Sequence, residues 1–597
     1  MTAQKVAPTK SDTVYKKIDQ YAEDKKFFKF VHKLMFRNRE TFLVAKKPKR
    51  TGITPIQKSF NKYSCRIIRK ITIETLDPFG YSVENDKEHP EKRIERMGNF
   101  LHLKTKNWTI RNLLLFKKND PLDSLIVKES ERLIRSQRYV RSVLIKPVPI
   151  ENCTDSIDIS VRVLDTWSLV PTGAFSSTKA NLDLIQRNFF GLGHEIEVNY
   201  IKSFDNSTVN TFAYESKYSI NNIKNTFVNL SVSSKTDLNN NTYKTIRLDR
   251  PFYSTYSRWA GGVYFDYRAY TEFLPDSVGV LAPQNYKIKT YQFWAGHSFD
   301  VFGKNTEFGK TTHLIFTAGF NNSAYLLKPD ISYDPIQYSN SSKSVLATIG
   351  ISGQKFHQDK YLFRFGIIED VPYGKVFALT AGTENKNKVT RAYFGGRFSY
   401  GDYFDFGYLQ GNFEAGSFFN NGKTEQTTYK IEANYFTNLF AVGSWKFRQF
   451  IKPVLVLGIN RLNTAKDRLN LVDINGIPGF TTSPLTGTKK VLTTFQTQSY
   501  NQKTWYGFNF SPFFNCTLGF LDEGDYKFFS NKLYSQIGIG VLVNNNYLVF
   551  NSFQLSFSYY PSLPLDGSNI IKTNAFQNSN IEFKDFQIGQ PGVVSYQ

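Results

Sequence analysis

The residue types that do covalent or proton-transfer chemistry are few and scattered in this chain. His102, His194, His297, His313 and His357 stand apart, and no Ser or Cys nucleophile motif lies beside any of them. Nucleophilic catalysis needs a base within reach of its nucleophile. Cys65, Cys153 and Cys516 have no metal-ligand spacing, and no glycine-rich phosphate cradle is present. The expectation is a protein that is not an enzyme, with no catalytic residue, no metal and no cofactor. His102, in the stretch LHLKT, reads as a surface or packing residue. The stretch Leu471–Lys490, LVDINGIPGFTTSPLTGTKK, offers something different. It is too long for a tight turn, and loops of this length in ordered domains are functional or disordered. Asn475-Gly476 and Pro478-Gly479 kink it, while Leu471, Val472, Ile474, Ile477 and Phe480 give it apolar surface to bury. It is predicted to fold back and pack inside whatever the rest of the chain builds.

The 597 residues carry a net charge of +24, 16% aromatic residues and a mean hydropathy of −0.38. No apolar run approaches the ~20 residues of a membrane helix. A transmembrane β-barrel remains open, because its alternating strands average to a soluble-looking hydropathy. Much of the basic excess lies in the first 70 residues, including Lys46-Lys47-Pro48-Lys49-Arg50. No zinc spacing, recognition helix or RNA-binding aromatic motif accompanies it, so nucleic acid is not an expected partner. An anionic membrane surface is. The start, MTAQKVAPTK, lacks the apolar core of a signal peptide.

Three regions follow in order. Residues 1–63 are a basic extension with one helix predicted from Asp12 or Thr13 onward. Residues 64–166 read as β-α-α-β-β: strands over Ile67–Thr75, Tyr139–Val148 and Ser156–Leu164, with helices capped by Asn107 and by Asp123 or Ser124. In that order the second strand is antiparallel to the first. Cys65 and Cys153 then fall at one end, as a disulfide or as two separate thiols. Residues 167–597 alternate. Ile196, Val198 and Tyr200 face away from Glu195, Glu197 and Asn199, and the same holds for Tyr429–Tyr435 and Phe553–Tyr559. Roughly 430 residues without a helical interruption are too many for one sandwich, and the aromatic strand ends resemble interfacial girdles. A large soluble β-repeat protein is the other reading, without the fixed repeat period it would need.

The small domain resembles a POTRA domain, through Ile67–Thr75, Thr105–Ile110, Asn119-Asp120 and Ser130–Leu133. A single POTRA domain ahead of a barrel resembles the BamA/TamA-type outer-membrane assembly superfamily, which includes the two-partner secretion transporters. Asn188–His194 is similar to its early-barrel turn. Gly476, Ile477, Pro478, Gly479 and Phe480 stand at its inward loop motif. Phe520, Asp522 and Gly524 match the wall motif that receives that loop, and Phe586-Gln587-Ile588-Gly589 is similar to its closing-strand signal. The resemblance implies a transmembrane antiparallel β-barrel of sixteen strands, one periplasmic α+β POTRA domain and location in the outer membrane of a Gram-negative bacterium. The family's loop arginine falls on Pro478, so Lys489 or Lys490 is the candidate cation for Asp522. Gln496 lies near a family glutamate.

The resemblance further implies insertion or translocation of unfolded outer-membrane or secreted client proteins, through POTRA pairing and a weak barrel seam. Trp167, Pro171 and Gly173 on the first strand and Phe586, Ile588, Gly589 and Pro591 on the last are the expected seam residues. Pro cannot donate to a ladder and Gly packs nothing, although frayed barrel ends would look the same. The alternatives are a scaffold barrel that joins other outer-membrane subunits through the POTRA domain or N-terminal helix, and a dedicated secretion pore.

Overall fold

A computed structural model describes residues 60–597, apart from 92, 152–154, 176–178, 206–207, 277, 303–306, 473–475, 481–484, 502, 506–507, 523–531, 546–551, 563–570 and 580. The expected N-terminal helix, Cys153 and Gly524 lie outside the described residues. The chain divides into two compact units, one mainly of residues up to Arg250 and one mainly of Pro251 onward.

The first unit begins with strand β1 (Ile67–Leu76), helices α1 (Arg93–Leu101), α2 (Asn107–Arg111) and α3 (Ser124–Arg135), and strands β2 (Val140–Pro149) and β3 (Ser156–Asp165). The sheet order is β1-β3-β2, with β1 parallel to β3 and β2 antiparallel to it. The strand directions match the expected path. An additional helix, α1, stands where the sequence suggested only a charged loop. The Asp123 carboxylate accepts from Leu125 N at 2.8 Å, capping α3 as expected. Asn107 does not cap α2; Lys106 holds that position without a side-chain bond. Asn107 instead accepts from Thr75 Oγ1 at 3.2 Å. Ile68, Ile110, Val127, Ile134, Ile157, Val161 and Val163 fill the core between helices and sheet, all at 0% exposure. Cys65 is a free thiol.

The same unit contributes β4 (Leu169–Phe175), β5 (Lys179–Phe189), β6 (His194–Ser203), β7 (Phe212–Ile220), β8 (Asn229–Thr236) and β9 (Thr242–Arg250), each antiparallel to the next. The β5–β6 turn is fastened to the small domain. Buried Asn188 donates to Thr105 Oγ1 and accepts from Gly193 N, both at 2.8 Å. Thr105 in turn donates from N and Oγ1 to the Asp165 carboxylate, both at 2.8 Å, and His102 Nε2 lies 3.1 Å from it. His102 is therefore a buried packing and hydrogen-bonding residue. Replacing Asn188 by Ala leaves the buried Gly193 N without its acceptor and is expected to cost about 1–3 kcal/mol. Faster proteolytic release of the small domain should report it, and unchanged protection would show that this node does not hold the turn.

The second unit contributes β10 (Trp259–Pro275), β11 (Leu281–Phe299), the short helix α4 (Glu307–Thr311), β12 (Thr312–Leu327), β13 (Ser342–Lys360), β14 (Ile368–Lys386), β15 (Val389–Phe404), β16 (Gly407–Asn420), β17 (Lys423–Thr437), β18 (Phe440–Val442), β19 (Trp445–Ile459), β20 (Lys489–Asn501), β21 (Phe508–Asp522), β22 (Tyr534–Asn545), β23 (Ser552–Tyr559) and β24 (Ile571–Thr573). The strand order from β4 to β24 closes on itself as a barrel. It holds 21 strand segments among the described residues. β17 and β18 both pair with β19 and make one interrupted crossing. Twenty crossings therefore stand where sixteen were expected from the family, and no residue pattern alone sets that number.

Outward positions are apolar. Phe377, Leu379, Phe394, Phe398, Phe413, Ile431, Phe514 and Ile539 are all exposed on the strands, while their neighbours Ser399, Asn412, Glu432 and Asn515 are buried. Alternation with the apolar set outside and the polar set inside is the pattern of a barrel bathed in lipid. No helix among the described residues is long and apolar enough to cross a membrane.

Candidate functional site in the barrel lumen

Strand parity decides which residues can meet inside the barrel, because successive side chains point to opposite faces. On β21, Asn509, Ser511, Phe513, Asn515, Thr517 and Leu521 are buried, whereas Phe510 and Phe514 are exposed. Phe520 and Asp522 share the outward parity. The wall motif expected to receive the loop thus faces away from the lumen, and the residue between its two members, Leu521, faces in. On β20, Lys490, Leu492, Gln496 and Gln498 are the buried set. Lys489 is outward and stands opposite Asp522 in the β20–β21 register. Lys490 is inward, 1% exposed, and donates to Asn470 O at 3.3 Å. Of the two candidate cations, parity therefore leaves only Lys489 on the same face as Asp522.

The loop does fold inward. Ile477 and Phe480, at 0% and 2% exposure, pack with Leu469, Leu471, Val456, Leu492, Leu521, Tyr534 and Tyr560. Phe480 lies 5.7 Å from the Tyr534 ring, edge to face, and 6.2 Å from the Tyr560 ring. The tip is shaped by Gly479 at φ +74, and it closes through Phe480 N to Ile477 O at 3.0 Å. Its carbonyls are held from outside: Tyr560 Oη donates to Pro478 O at 2.7 Å and Lys572 Nζ to Gly479 O at 2.8 Å. Gly476 abuts the backbone of Leu471, where a Cβ would sit 2.1 Å from two of its atoms. Apolar packing plus two bonds, from Tyr560 just after β23 and from Lys572 on β24, hold the loop. Tyr560→Phe removes one of those bonds and is expected to cost about 1 kcal/mol. The heat-modifiable migration of the barrel in gels should shift down by a few degrees, and no shift would mean the bond is not formed.

The chain after β24 corrects the expected closing strand. The described residues of 574–597 form no strand. Phe586 and Ile588 are buried at 0% and 5%, packed with Phe252, Ala260, Ile315, Val376 and Ala378. Ser352 Oγ donates to Phe586 O at 2.5 Å, and Phe586 N donates to Gln354 Oε1 at 2.7 Å. Upstream, Phe576 meets Phe513 at 5.4 Å, and Gln496 Nε2 donates to Asn578 O at 2.7 Å. Downstream, Pro591 lies over Gly319, Val594 N donates to Tyr393 Oη at 2.8 Å, and Tyr596 Oη donates to Thr488 O at 2.9 Å beneath Arg461. The wall partners Ser352, Gln354, Tyr393 and Gln496 are all buried positions of their strands. The segment therefore runs along the lumen. Gly589, Pro591 and Gly592 interrupt the alternation that Phe586 and Ile588 begin, and that interruption is the sequence signal that argues against a strand.

The residues expected at the seam are placed separately. Trp167 precedes β4 and packs within the first unit on Phe79, at 5.8 Å, and His102, at 6.3 Å. Pro171 and Gly173 do lie on β4, opposite Leu184 and Leu182 of β5. Among the described residues the last strand is β24, which has 3 residues and pairs with β23 through Thr573, Lys572 and Ile571.

No family model matches the sequence, and no curated protein matches it. Among solved structures, the chain is similar to CdiB from Escherichia coli (10% identity, 96% of this chain and 98% of that one, TM-score 0.40). It is similar to CdiB from Acinetobacter baumannii (10%, 95% and 98%, TM-score 0.39). It is also similar to BamA from Haemophilus ducreyi lacking POTRA domains 1–3 (12%, 85% and 83%, TM-score 0.28). Likeness at this level bears on neither activity nor partners. The protein is an antiparallel barrel with an apolar outer face, an inward loop and a lumen threaded by its own C-terminal segment.

Proposed function

We propose that the chain is an outer-membrane barrel that carries client polypeptides across or into the membrane, with its small α/β domain on the periplasmic side. The observation that supports this most directly is the closing strand. Among the described residues β24 offers 3 residues of ladder, where β13 and β14 each offer 19. Each unmade backbone bond in lipid costs several kcal/mol, so the β23–β24 junction, with few bonds, is the cheapest place to open. The small domain would receive the client along an exposed strand edge, by β-augmentation. In the order β1-β3-β2 the edge strand β2 ends in Pro147 and Pro149, which have no N–H. Pairing would use Val140–Lys146.

A second reading, a secretion pore, is favoured by the lumen itself, which accommodates an extended segment. One experiment separates the two. Cysteines at Ser352 and Phe586, whose Oγ and carbonyl are in contact, would lock the tail into the lumen reversibly. If the locked protein still supports outer-membrane protein levels in depleted cells, clients use the seam. If reduction is required for any client to appear, they use the lumen. If depletion itself alters no outer-membrane or secreted protein, neither reading stands and a scaffold remains.

A further inference from the structure

The bonds that hold residues 584–587 run almost entirely from wall side chains to tail backbone. Gln410 Nε2 donates to Lys584 O at 2.6 Å, Arg397 donates to Asp585 O at 2.8 Å and to Gln587 O at 3.3 Å, and Ser352 and Gln354 take both backbone groups of Phe586. Backbone groups are the same in every polypeptide, so these contacts do not read the tail's sequence. The side chains are read by shape and charge at few points. Gly401 and Gly350 are bare where Phe586 and Ile588 lie: a Cβ would come within 2.6 Å of the Phe586 ring and 2.7 Å of Ile588 Cδ1. Lys584 Nζ sits between Glu432 and Glu414, 3.5 Å from the latter. None of this resembles strand addition. It is an extended chain gripped on one side by Gln, Ser and Arg side chains, with two pits and an acidic notch.

We propose that the inward face of β13–β17 is a peptide-binding track for an extended polypeptide of the pattern Lys-x-aromatic-x-aliphatic, and that the tail is its occupant in cis. A polypeptide of that pattern in trans must displace the tail. Its apparent affinity is therefore its intrinsic affinity multiplied by the fraction of molecules whose tail is unseated. The inference does not depend on whether clients use the seam or the lumen.

The test uses purified barrel in detergent micelles and three fluorescein-labelled synthetic peptides. One has the sequence of residues 580–597. The second shuffles every residue except those at the positions of Lys584, Phe586 and Ile588. The third carries Ala in place of Phe586. Binding is measured to the intact chain, to a chain ending at Ser579, and to a full-length chain with Phe586→Ala and Ile588→Ala. The last loosens the tail without shortening the protein, in case the truncated one fails to fold. Heat-modifiable migration identifies the folded variants. The first two peptides should bind a tail-loosened barrel at least about tenfold more tightly than the intact one, and within a few-fold of each other. The Ala peptide should be weaker by about tenfold or more. Equal binding to intact and loosened barrels would place the peptide elsewhere and overturn the proposal. So would binding of the native sequence but not the shuffled one, which would make the tail a dedicated element of the fold. Absence of binding to every folded variant would overturn it as well.

Discussion

Gly479→Val should eliminate the folded, heat-resistant form of the barrel. Gly479 sits at φ +74, where a β-branched residue is strained by about 1–2 kcal/mol. The larger effect is steric. A Cβ there would lie 2.3 Å from Tyr560 Oη and 2.7 Å from Ala575 Cβ. Relief requires the tip to move, which unseats Ile477 and Phe480 and breaks the bonds from Tyr560 and Lys572. Emptying two fully buried sites of that size costs about 3–5 kcal/mol each by cavity measure. A control separates strain from packing. Gly422, in the β16–β17 turn, has φ +75 and nothing within 4 Å of its Cβ position. Gly422→Val should cost only the backbone strain. If the two variants lose heat resistance equally, the loop's packing contributes nothing to the fold.

Phe586→Ala should release the tail while leaving the barrel closed. The ring is fully buried, and truncating a buried Phe costs about 3–5 kcal/mol. At 1.4 kcal/mol per tenfold, the ratio of seated to unseated tails falls by roughly two to three and a half decades. A carboxypeptidase should then shorten the chain from its C-terminus at a rate wild type does not show, with heat-modifiable migration retained. Resistance equal to wild type would mean that the backbone bonds from Ser352, Gln354 and Arg397 suffice without the ring.

The barrel was legible because alternation is a direct image of the strand's two faces. Tyr429–Tyr435 and Phe553–Tyr559 read as strands from their residues alone. So did the inward loop, because Ile477 and Phe480 need burial and the turn residues around them rule out a strand. Phe520 and Asp522 were misplaced for a reason of parity. A motif fixes spacing along a strand, but which face it occupies is fixed by register, and a shift of one residue reverses it. The tail was misread because Phe586 and Ile588 alternate over too short a span to tell a strand from a chain lying in a groove. Strand number was not legible either. It depends on how many hairpins join the sheet, and residues at any one position do not record it.

The bare wall positions under the tail have a bearing on descent. Gly401 lies opposite Phe586, whose ring a Cβ would approach to 2.6 Å, and Gly458 lies opposite Tyr596, where a Cβ would come within 2.3 Å of the ring oxygen. A side chain gained at any of these evicts its partner, so wall and tail can only change together. A lineage that loses the tail is released from that constraint and should accumulate Ala, Ser or larger residues at these positions. A lineage that keeps the tail should keep the glycines even where the tail's other residues drift. The vacancies on the wall are a record of the segment that fills them.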